Sequence, residues 1–87
     1  MRQKMIIDSR IHKNTNFRPF TVIGAIAYAV STLNKDENIV IDSILDYNGE
    51  QVTIEKIRMG IHKVQKELGI KCVTRIKNEK LIIFRIE

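Results

Sequence analysis

Residues 52–76 read VTIEKIRMGIHKVQKELGIKCVTRI, and two structural periods meet inside this stretch. Ile54, Ile57, Ile61, Val64 and Leu68 are spaced three, four, three and four residues apart, the apolar stripe of an amphipathic helix. Thr53 stands where a hydroxyl can cap the first free amides, and Gly69 where a left-handed residue ends the helix. Gly60 lies inside the pattern and weakens it by roughly 1 kcal/mol relative to alanine, unless a close contact requires it. Beyond Gly69 the period becomes that of strands. Residues 70–76 are rich in β-branched side chains and residues 81–86 are mostly apolar. The polar run Lys77-Asn78-Glu79-Lys80 between them has the length of a hairpin tip.

Working outward, residues 22–33 carry no charge and place Ile23, Ile26, Ala27, Val30 and Leu33 at helical spacing. Pro19 and Thr21 supply start chemistry for that helix, which is expected to be buried on most sides. Residues 39–41 suit a stub of strand. Asp42 or Ser43 can cap a short helix through Ile44, Leu45 and Tyr47, stopped at Asn48-Gly49. Residues 4–7 suit a short strand, and residues 10–18 a polar loop or basic arm. The expected order is therefore strand, helix, strand stub, helix, helix and hairpin.

Length and composition bound what such a chain can be. Its 87 residues, 44% hydrophobic and 29% charged with one proline, support a single small core and argue against disorder. No apolar run approaches the ~18 residues of a membrane span, and the start lacks the apolar core of a secretory signal, so a cytoplasmic protein is expected. A single Cys72 excludes an internal disulfide framework. The formal charge of +5 is unevenly spread: residues 1–21 carry +4, residues 22–50 carry −4 and residues 51–87 carry +5. Two basic ends sharing a face would steer the protein toward a polyanion.

The face opposite the apolar stripe of helix 53–68 holds Glu55, Met59, His62 and Lys66, flanked by Lys56 and Lys63 on one side and Arg58 and Gln65 on the other. Arg58, His62 and Gln65 can donate to base edges, while Lys56, Lys63 and Lys66 can neutralise phosphates. A hairpin following such a helix would set Arg75, Lys77 and Lys80 against a neighbouring backbone.

Residues 61–69 (IHKVQKELG) resemble the end of the recognition helix of the winged helix-turn-helix family, closest to the OmpR-type effector domain of response regulators. There, spaced apolar residues and a basic "LRKKLG"-like end lead into a β-hairpin. The resemblance covers roughly three quarters of the chain. It lacks the glycine-rich wing of that family, and no receiver domain accompanies it. It implies an α+β fold, a three-helix winged helix-turn-helix over residues 19–87 with a C-terminal hairpin wing. Residues 1–18 would precede it as a basic strand or arm. The implied function is sequence-specific binding of double-stranded DNA by a small transcriptional regulator, of the phage or mobile-element type that an isoleucine-rich chain (16 Ile) without enzymatic motifs suits. Thr53, Lys56, Arg58, Met59, His62, Lys63, Gln65, Lys66, Arg75, Lys77 and Lys80 would form the interface.

Other chemistries find little support. His12, His62 and Cys72 show no paired metal-ligand spacing, no glycine-rich phosphate loop exists, and Cys72 has no visible neighbouring base. Asp42 and Asp46 are more simply cap and solvent residues than an acid–base pair. No enzyme, cofactor or metal is expected. The alternative is a protein-interaction module contacting its partner through the acidic residues 36–50, or a homodimer that covers surplus apolar surface. RNA recognition is disfavoured because no aromatic pair stands on the expected exposed strands.

Overall fold

The computed structural model describes residues 3–87; Arg2, counted above among the basic residues, lies outside the described residues. The elements follow as β1 (Gln3–Asp8), α1 (Val22–Ser31), β2 (Asn38–Leu45), α2 (Ile54–Leu68), β3 (Cys72–Lys77) and β4 (Lys80–Arg85). Four strands form one mixed sheet in the order β1-β2-β4-β3. β1 runs parallel to β2, and both the β2–β4 and β4–β3 pairs are antiparallel. Two helices and a four-stranded sheet replace the expected three-helix winged helix-turn-helix. The hairpin is no protruding wing, because β4 lies between β2 and β3 in the sheet.

The helix expected near residues 42–47 is the far half of β2. The register against β1 skips one residue of β2, since Met5 pairs with Ile41 and Ile6 with Ser43. Asp42 is thus the extra residue of a bulge. That bulge puts Ile41 and Ile44 both on the buried side, three residues apart, which counterfeits helical spacing in the sequence. The chain then turns through an Asx motif: Asp46 Oδ1 accepts from the amides of Asn48 and Glu50 at 2.8 and 2.9 Å. Gly49 supplies the positive φ of +80°.

The two real helices follow their local chemistry. Thr21 Oγ1 accepts from the amide of Gly24 at the start of α1, and Thr53 Oγ1 from that of Lys56 at the start of α2. Gly69 closes α2 in the left-handed region at φ +67°. One core cluster joins Ile26 and Val30 of α1 and Ile57, Ile61 and Val64 of α2 to Ile7, Ile39, Ile41, Leu81 and Ile83 of the sheet. Each such side chain stabilises by about 1.5–3 kcal/mol on burial. Val40 and Ile82 alternate with these strand residues and stand outside the cluster, so both helices cover one face of the sheet and the other carries no helix, although Val40 and Ile82 on it are themselves buried. Gly60 is where the helices meet. A Cβ there would come within 2.5 Å of Ile26 Cδ1, which is the close contact that justifies a glycine in mid-helix.

Candidate nucleic-acid interface

Because α2 buries Ile57, Ile61 and Val64, its opposite side must face water. Lys56, Arg58, Met59, His62, Lys63 and Lys66 are all exposed there, with Met59, 74% exposed, on the crest. Shallow grooves run along both shoulders of this ridge. The one toward α1 has an apolar floor of Val22, Ile23 and Ile26 and is rimmed by Lys56 and Lys63. The other, toward β3, is rimmed by Arg58 and His62 and floored by Ile61, Cys72 and Thr74. From Lys56 to Lys66 the ridge rises about 15 Å at 1.5 Å per residue.

The other cations divide into tied and untied. Arg10 clamps Asp8 in a two-pronged pair, its Nε and Nη2 donating to the two carboxylate oxygens at 3.0 and 2.8 Å. This contact holds the Asp8 carboxyl down at about 2 and raises the Arg10 guanidinium. Lys80 pairs with Asp42 at 2.6 Å and Lys71 with Glu87 at 3.9 Å. Among the described residues, none of Lys56, Arg58, Lys63 and Lys66 takes part in an ion pair.

The structure therefore brings together only part of the residue set expected from the sequence. Thr53 is occupied as the cap of α2. Gln65 turns its Oε1 to accept from the amide of Cys72 at 3.0 Å, so it braces β3 against α2. Arg75 and Lys77 alternate with Thr74 and lie across from Ile82 and Lys80, on the face of the sheet that carries no helix. They do not share a surface with the α2 ridge, and Lys80 is held by Asp42. The acidic stretch is likewise divided. Asp36 and Glu37 precede β2 while Asp46 and Glu50 follow it, and the eight-residue strand separates them.

Two features of the structure leave no local signal in the sequence. His12 is fixed by accepting from the amide of Asp8 at Nδ1 (3.0 Å) and by stacking on Tyr28, ring centroids 4.7 Å apart. Phe20 sits at φ +63°, unusual for a bulky side chain, and meets Tyr47 edge-on at 5.9 Å with both rings largely exposed. Both pairings join residues far apart in the chain, which no local period reports. Burial raises the Cys72 thiol, which makes it a poor nucleophile. Among the described residues, no group of three or more His, Cys, Asp or Glu side chains is arranged to hold a metal ion, and no helix is long and apolar enough to cross a membrane.

The chain matches no protein-family model, no curated protein and no solved structure.

Proposed function

We propose that the protein binds double-stranded DNA through the exposed ridge of α2. The observation that carries this reading is the set of four cations on one helix, without an ion pair among the described residues: Lys56 and Lys63 on one shoulder, Arg58 on the other, and Lys66 along the exposed side. A lone helix with donors on both sides of its crest fits the major groove, which admits an α-helix. Lys56 and Lys63 meet phosphates on one wall, and Lys66 extends the basic track along the crest. Arg58 and His62 are the candidates for base edges. Glu55 lies at the start of the helix, where its charge favours the helix dipole and its repulsion of phosphate is local. Arg75 and Lys77 of the hairpin have no part in this contact. The role of a small transcriptional regulator belongs to the same proposal.

The test is fluorescence anisotropy with a labelled duplex of about 25 base pairs at several salt concentrations. Three phosphate contacts, from Lys56, Lys63 and Lys66, give a log–log slope of about −2.7, and Lys63→Glu or Lys66→Glu each reduces its magnitude by about 1 or more. A folded protein that does not bind at low salt overturns the reading. So does binding that these two substitutions leave unchanged.

A further inference from the structure

β3 is an outer strand of the sheet, and no further strand pairs with its outer side among the described residues. Its register fixes which groups face outward. Asn78 and Glu79, both left-handed at φ +53° and +63°, form a two-residue turn that closes on the pair Lys77 and Lys80. In such a hairpin Lys77, Arg75 and Val73 bond inward to β4, and the alternate residues turn their amides and carbonyls outward. Cys72 obeys this rule, since its amide leaves the hairpin to meet Gln65. The amides and carbonyls of Thr74 and Ile76 are then left presented to a further strand.

Beside this edge runs the groove between β3 and α2, about 370 Å3 in volume, with Arg58 and His62 on its far rim. The edge keeps apolar side chains in water: Val73 is 42% and Ile76 52% exposed. Residues 71–77 hold Lys71, Arg75 and Lys77 and no acid. We infer that the β3 edge, with the groove beside α2, accepts an extended acidic segment of another protein as a fifth strand. Main-chain bonds to Thr74 and Ile76 would supply register, and alternate side chains would supply choice. Those on the helix side fall near Arg58 and His62, and those on the side without a helix near Arg75 and Lys77, so acidic residues are favoured on both faces. A second copy of this chain is disfavoured on the same grounds, because pairing β3 with itself sets these cations against one another. This inference does not rest on the DNA reading.

The probe is a fluorescein-labelled decapeptide alternating valine or threonine with glutamate, compared with its glutamine and lysine counterparts. Saturable binding of the glutamate peptide at least about tenfold tighter than the glutamine peptide is expected, weakening with salt. On binding, the backbone amides of Thr74 and Ile76 in the unaltered protein should become protected from hydrogen exchange. Arg75→Glu combined with Lys77→Glu, both at exposed positions, should shift preference toward the lysine peptide. Equal affinity for the glutamate and glutamine peptides overturns the inference. So does unchanged exchange at Thr74 and Ile76. Protection of those two amides by self-association in sedimentation, or by duplex DNA in place of peptide, would assign the edge to another occupant and overturn it as well.

Discussion

The two helices are packed against the same sheet and against each other, yet they are made of opposite materials. α1 has ten residues and no charge, and six of them are buried. α2 has fifteen residues, of which only Ile57, Ile61 and Val64 are fully buried, and it carries nearly all its charge on the exposed side. One helix is spent on the core and the other divides its faces between core and surroundings. The lesson is that tolerance to substitution should differ sharply between neighbours only one helix diameter apart.

The largest expected effect falls on α1. Ala27 is fully buried, and Ala27→Lys places an unpaired charge in the core, a loss of about 4 kcal/mol or more by urea unfolding. A loss below about 1 kcal/mol would mean that α1 has a route to water and the contrast with α2 is false. Next comes the seam between the helices. Gly60→Ala gains roughly 1 kcal/mol in helix propensity but drives a methyl into the buried Ile26, and overpacking costs about 1–3 kcal/mol. A net loss of about 1 kcal/mol is expected. A gain in melting temperature would show that the glycine does not set the helix separation.

The clamp after β1 gives a pH signature. Arg10 lowers the Asp8 carboxyl from its ordinary 3.8 to about 2, so its contribution is present above pH 3.8 and is lost as pH falls through about 2. In Asp8→Asn the urea midpoint should lose this part of its pH dependence between about pH 4 and 2. An unchanged acid limb would show that the clamp adds nothing to stability. The smallest effect belongs to the exposed face of α2. Lys63→Glu and Lys66→Glu should each change stability by no more than about 0.5 kcal/mol, however strongly they alter DNA binding. A larger loss would give those lysines a structural task that the contrast denies them.

Local chemistry was readable where it governs alone. The caps Thr21, Thr53 and Gly69, the stripe from Ile54 to Leu68 and the hairpin tip at Asn78-Glu79 all lie within a few residues of what they control. β2 was misread because its bulge breaks the two-residue period and leaves Ile41 and Ile44 at a helix-like spacing. Beyond the β3–β4 hairpin, the neighbours in the sheet were not readable. Nothing near β1 announces that it pairs with a strand some 36 residues later, or that β4 separates β2 from β3. That error also spread to the candidate interface. The exposed cations of α2 were recognised, but placing Arg75 and Lys77 beside them required a hairpin that projects as a wing. Alternation along β3 instead sends those two to the face that carries no helix.

The strand order also sets a timetable for folding. α2, β3 and β4 are consecutive and can associate through short loops. The central pairing of Ile39 with Ile83 spans 44 residues, and closing so long a loop is entropically slow. A ribosome-bound chain would therefore hold β2, with β1 on its other side, without its β4 neighbour until nearly all of residues 3–87 had emerged. Substitutions in the α2–β3–β4 unit should then slow refolding, while those in β1 should chiefly hasten unfolding.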